Sequence, residues 1–200
     1  MVTSKKIRKD WGKIMGNIKS DETEKKGYLS SPLLKELMSY AKIIVLAIVI
    51  AFICNNYIIV NAQIKSGSMS DGIKTSDRLF GFRLAYMSSL PERGDVVIFK
   101  FPDNESENFI KRVIGLPGDV VQIKSGVLYI NGEIYNEDYL KEPMIGSFGP
   151  FCVPNDHYFM LGDNRNDSKD SRFWVNTYVA KNKIIGKALL KYYPYIGSIE

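Results

Sequence analysis

Residues 119–135 read DVVQIKSGVLYINGEIY. Two short runs rich in β-branched and aromatic residues are cut by Lys-Ser-Gly and then by Asn-Gly-Glu. Both interruptions have hairpin-turn chemistry, and the Asn131-Gly132 pair suits the positive φ that tight turns demand. The same rhythm recurs on either side, in RGDVVIFKF (93–101), NFIKRVIGL (108–116), HYFMLGD (157–163) and KIIGKALLKYYP (183–194). Short strands bounded by glycine, proline, asparagine and aspartate predict an all-β, mostly antiparallel domain over residues 61–200. The stretch about 120–156, rich in proline and glycine toward its end, is expected to form a subdomain or excursion.

Upstream the pattern changes. No charged residue occurs from Ile43 to Ile64, which is long enough to cross a bilayer as a helix. Asn55, Asn56 and Asn61 lie toward its outer end, so the helix is expected to begin near Leu37 and to occupy 37–60. Lys42 then reaches the inner interface by its flexible stem. A cleavable signal peptide is the competing reading. Against it, the leader is long, and the apolar segment runs directly into a stretch with catalytic potential.

Net charge is +5 over 200 residues. Residues 1–42 hold ten Lys or Arg and five Asp or Glu, while the remainder holds seventeen of each. The excess therefore belongs to the leader, residues 1–36, and to its junction with the helix. A neutral body is not that of a nucleic-acid enzyme. A basic leader before an apolar span predicts a single-pass membrane protein with its N-terminus cytoplasmic and its body extracytoplasmic.

Cys54 lies in the apolar span and Cys152 in the body, so no internal disulfide is expected and the exported domain must rely on its core. His157 is the single histidine. No zinc-ligand spacing is present, no metal or cofactor is expected, and a histidine-based triad is hard to assemble.

Two segments can carry chemistry. IKSGSMSDG, residues 64–72, places Ser66, Ser68 and Ser70 around Gly67. Such clusters are usually loops, and a serine hydroxyl is a poor nucleophile without a proton acceptor. With histidine so scarce, the acceptor would be a lysine whose pKa is pulled down by burial. Lys111, between Phe109, Ile110, Val113 and Ile114, has the setting that most readily supplies such desolvation. The alternative is a strand lysine whose ammonium stays in water beside Arg112.

Four blocks together resemble the bacterial type I signal peptidase family, serine proteases with a Ser/Lys dyad. They are SGSM at 66–69, RGDVVIF at 93–99, KRVIGLPGD at 111–119 and GDNRNDSKDSR at 162–172. They stand in the family's order behind an N-terminal anchor. The resemblance implies Ser68 as nucleophile, Lys111 as general base, and Ser66 with the Ser68 N–H as the oxyanion hole. It implies Ser168 as the group that orients the lysine and Met69 as a residue of the substrate cleft. Arg112 with Asp163, Asn164, and Asp170 with Arg172 are implied as structural support. Ile64, Leu79, Phe80, Phe82 and Leu84 are expected either to line the cleft or to touch lipid. The chain departs from the family pattern at Asp71 and Gly72, where proline and threonine are usual.

The activity so implied is endoproteolytic removal of N-terminal signal peptides from exported preproteins, after small residues, through an acyl-enzyme. The partners are those preproteins and membrane lipid, and the enzyme is expected to be a monomer. Two rivals differ in class. A self-cleaving Ser/Lys regulator would be soluble and carry a DNA-binding module. A non-catalytic anchored β-domain that binds exported partners would leave Ser68 and Lys111 far apart.

Overall fold

The structure, a computed structural model, describes residues 32–69 and 73–199. Most of the basic leader, and the departure at Asp71 and Gly72, lie outside the described residues. The chain divides into two units, Met1–Phe52 and Ile53–Glu200.

The described part of the first unit is helical. Helix α1, Pro32–Ile53, has 22 residues and none is buried. It starts five residues before Leu37. Pro32 explains this, because proline is suited to the first helical position, where its missing N–H would be unpaired anyway. At 1.5 Å per residue the helix is ~33 Å long, against a hydrocarbon thickness of ~30 Å. It is the one helix among the described residues long and apolar enough to cross a membrane. A π-type turn, Cys54–Ile58, follows it. Strand structure begins at Ile59, so the end of the expected 37–60 span is extended backbone.

The second unit is built on two antiparallel sheets. The larger contains β1 (Ile59–Gln63), β2 (Arg78–Phe82), β3 (Val96–Phe101) and β4 (Asn104–Gly115). The smaller contains β5 (Val120–Lys124), β6 (Val127–Ile130), β7 (Glu133–Ile134) and β8 (Phe148–Cys152). The chain then returns to the larger sheet with β9 (His157–Leu161), β10 (Val179–Ala180), β11 (Ile184–Tyr193) and β12 (Gly197–Ser198). The larger sheet runs β1-β2-β11-β3-β4-β9-β10, with β12 on β11, and the smaller runs β7-β6-β5-β8.

The hairpins of the smaller sheet follow from their turn residues. Lys124 pairs with Val127 and Ile130 with Glu133, leaving two-residue loops. Ser125 and Gly126 have φ of 48° and 84°, and Asn131 and Gly132 have 55° and 88°. Positive φ at both central residues is the type I′ geometry that matches strand twist. Gly126 is doubly constrained, since a Cβ there would lie 2.1 Å from the Met144 carbonyl oxygen.

Strands β3 and β4 are apolar on both faces because both are covered. Val96, Ile98 and Ile110 join one core with Val60, Ile64, Leu79 and Ala188. Val97, Phe99, Phe101 and Val113 join another with Tyr158, Met160 and Trp174. A third core lies between the sheets, where Val121, Ile123, Leu128 and Ile130 meet Ile114, Phe159 and Leu161. Ile64 and Leu79 are therefore core residues, not cleft or lipid contacts; Phe80 and Phe82, on the alternate positions of β2, are the partly exposed ones.

Candidate active site

Strand β4 carries Lys111 and Arg112 at adjacent positions, so they leave opposite faces of the sheet. Lys111 sits opposite Val97, and Phe109 opposite Phe99. This puts the lysine stem in an apolar row ending at Val113, with its Nζ 5.9 Å from the centre of the Phe109 ring. Lys111 is 3% exposed. The reading of a wet strand lysine does not hold.

Its ammonium meets the segment that follows β1. Lys111 Nζ donates to Ser68 Oγ across 43 residues of sequence. Ser68 is buried, and the exposed Ser66 places its hydroxyl 3.2 Å from Ser68 Oγ. The backbone here is fixed from the β9 end. Asn164 N donates to the Ser68 carbonyl at 3.1 Å, and Asn164 Nδ2 to that of Gly67 at 3.2 Å. Met69 is buried in the core beside Ile64, and its Sδ accepts Asp163 N–H at 3.4 Å.

Burial pushes the Lys111 amine from 10.5 down to about 8. The Asp170 and Asp163 carboxylates oppose that fall, and the Arg172 guanidinium assists it. Each carboxylate is largely committed elsewhere. On the other face of β4, Arg112 grips Asp163 with Nε at 2.9 Å and Nη2 at 2.8 Å. Its guanidinium lies over the Tyr139 ring at 4.3 Å. Asp170, fully buried, accepts from Arg172 Nε and Nη2, each at 2.8 Å, and from Gly162 N at 3.2 Å. Such forked, charge-assisted pairs fix geometry as well as charge.

Ser168 lies at the same turn. A Cβ on Gly162 would be 2.2 Å from Ser168 Oγ and 2.5 Å from the Ser68 carbonyl oxygen. The Ser168 hydroxyl is buried and makes no hydrogen bond, so the structure does not join it to Lys111 Nζ.

A buried ion pair outside the residues implied by the resemblance braces the same turn. Arg165 is 3% exposed and forms a two-pronged ion pair with Glu137, while its Nε donates to the Gly162 carbonyl at 3.0 Å. Arg165 stands inside the fourth block and was available as a signal. Glu137 belongs to the excursion and carried none. Asp95 and Asp119, readable as strand-end or turn caps, do accept backbone N–H groups from Glu92 and Leu116. They also pair with Lys187 and Arg93.

The description "Signal peptidase, peptidase S26" fits residues 37–193 by its family model. A probable signal peptidase I-2 of Synechocystis sp. is 36% identical over 86% of this chain and 80% of that protein. A signal peptidase I of Leptolyngbya laminosa is 38% identical over 79% of this chain and 80% of its own. A crystal structure of a signal peptidase I from Enterococcus faecalis V583 is 35% identical, with a TM-score of 0.43, covering 48% of this chain and 95% of that one. The class is thus a family of serine endopeptidases. Within it, the chain belongs to the bacterial type I signal peptidases of the peptidase S26 family.

Proposed function

We propose that this chain cleaves N-terminal signal peptides from exported preproteins after small residues, with Ser68 as nucleophile and Lys111 as general base. The observation that carries the reading is the buried hydrogen bond between Lys111 Nζ and Ser68 Oγ, with the amine held down to about 8. A base needs its lone pair near operating pH and within reach of the proton it takes.

In the neutral amine the contact reverses, and Ser68 Oγ–H donates to Nζ. As Oγ attacks the scissile carbonyl, Lys111 takes this proton and then returns it to the leaving amine. The oxyanion is held by the Ser68 N–H and the Ser66 hydroxyl, donors aimed at charge that exists only in the transition state. Water activated by the same lysine then hydrolyses the acyl-enzyme. Ser168, buried at the same turn, is assigned to orient the amine, and Met69, the residue that follows the nucleophile, to the substrate cleft. Arg112–Asp163, Asn164 and Asp170–Arg172 are the supporting frame. Shallow apolar pockets account for small-residue preference, since bulk is rejected by overlap.

Helix α1 anchors the enzyme as a monomer in the membrane that also holds the preprotein's apolar signal segment, raising their effective concentration. The basic leader stays in the cytoplasm and the β-rich unit lies outside.

The test is Lys111→Met, purified full-length in detergent and given a preprotein substrate, with the cut position read by mass spectrometry. Wild type is expected to cut after a small residue. The variant, folded, is expected to cut nothing, and Lys111→Arg is expected to fail as well because guanidinium keeps its proton. A folded Lys111→Met that cuts at the wild-type rate would remove Lys111 as the base.

A further inference from the structure

The segment bearing Ser66, Ser68 and Met69 leaves β1 and returns to β2 through a narrow neck. Ile64 N donates to the Asp77 carbonyl at 3.0 Å, and Ser76 N to the Ile64 carbonyl at 2.8 Å. Asp77 also reaches back with its side chain, where Oδ2 accepts Lys74 N–H at 2.9 Å. The same oxygen lies 3.4 Å from Lys191 Nζ on β11. Asp77 is 4% exposed and Lys191 8%. Lys191 is opposite Leu79 in the sheet, and the Tyr195 ring covers its ammonium at 4.4 Å.

A lysine at this register is not required by strand pairing, which uses only backbone groups. Its aliphatic stem would pack as well from a methionine. A buried ion pair is costly to desolvate and is weak support for stability. Its contribution lies in geometry instead. The neck closes the base of this loop beside β1 and β2, and Asn164 holds the loop from the other side through the Gly67 and Ser68 carbonyls.

We infer that Asp77 and Lys191 are positioning residues, an internal clamp that ties the neck of the nucleophile loop to β11 and so sets the Ser68–Lys111 contact. The inference rests on the Ser/Lys peptidase reading above. Both residues are too buried to meet substrate directly. Loosening the clamp should leave binding intact and misplace the nucleophile, and a displacement of about 1 Å can cost about 100-fold in rate.

The experiment compares wild type, Lys191→Met, Lys191→Arg and Asp77→Asn, each full-length in detergent, by kcat and KM on one preprotein and by thermal melting. Asp77→Asn keeps an oxygen for Lys74 N–H and loses the charge. Lys191→Met and Asp77→Asn are expected to melt with the wild type, to keep KM within about twofold and to lose kcat by about 10- to 100-fold. Lys191→Arg, which keeps the cation, is expected to recover most of the rate. Wild-type kcat in folded Lys191→Met and Asp77→Asn overturns the clamp, as does a loss confined to KM or an Arg variant as slow as Met. Unfolding of both charge-removing variants would assign the pair to global stability and overturn it equally. Failure of the wild type to cut any preprotein would instead strike the peptidase reading.

Discussion

Lys111 shows how one burial sets both chemistry and stability. Its pKa falls from 10.5 to about 8, first through desolvation. Below pH 8 the lysine is protonated whether the chain is folded or not, so the folded state bears the whole desolvation cost. Between pH 8 and 10.5 the folded chain sheds the proton while the unfolded chain keeps it, so stability from this group rises with pH across that window. At 1.36 kcal/mol per pH unit the cost below pH 8 is about 3 kcal/mol. Lys111→Met is therefore expected to be the more stable protein at pH 7, by an amount that shrinks between pH 8 and 10.5. Urea unfolding of the full chain in detergent at several pH values reads this, and a pH-independent difference would sink the desolvation account. Wild-type cleavage is expected to climb through pH 8 as the base forms. The apolar neighbours of Lys111 made the burial legible in sequence. The partners of Asp77 and Arg165 were not, because Lys191 and Glu137 are distant along the chain and meet them only in the folded tertiary structure.

At the scale of elements, the site depends on how closely the 162–172 turn approaches the loop that carries Ser68. Gly162 is where they meet. It donates to Asp170, and a methyl group on it would lie 2.5 Å from the Ser68 carbonyl oxygen and 2.2 Å from Ser168 Oγ. The first of these is backbone and cannot rotate away. Gly162→Ala is expected to displace Ser68 and lower kcat by about 100-fold, with about 1–3 kcal/mol lost by overpacking. Gly67→Ala is the matched control, since nothing lies within 4 Å of a Cβ there. Comparable rates in the two variants, measured beside their melting temperatures, would show that the close approach is not used. Elements themselves were readable to differing degrees. The hairpins at Ser125-Gly126 and Asn131-Gly132 announced themselves through turn residues. The apolar runs of β3 and β4 announced strands. Helix α1 extends beyond the apolar run to Pro32, past the charged Lys35 and Glu36, where hydropathy falls and proline is the signal.

For the whole molecule, alternation and turns disclosed a β-rich body but not its strand order. Strand β11 comes near the end of the chain yet inserts between β2 and β3, and no local pattern encodes a pairing across such a distance. The separate sheet of β5–β8 lies in the stretch about 120–156 that the sequence marks as a subdomain or excursion. Orientation in the membrane, in contrast, rests on sequence electrostatics. Ten basic and five acidic residues precede Ile43, and seventeen of each follow it. Basic flanks are retained on the cytoplasmic side, and a neutral body offers no competing bias. The arrangement predicts that protease added to cells stripped of their wall digests the β-rich unit and spares an N-terminal tag. Detection of the tag on a fragment about the size of the leader plus α1 is the expected readout, with digestion of the tag after detergent lysis as the control. Loss of the tag in intact cells, with the β-rich unit protected, would reverse the orientation and place Ser68 on the side of the membrane where exported preproteins have not yet emerged.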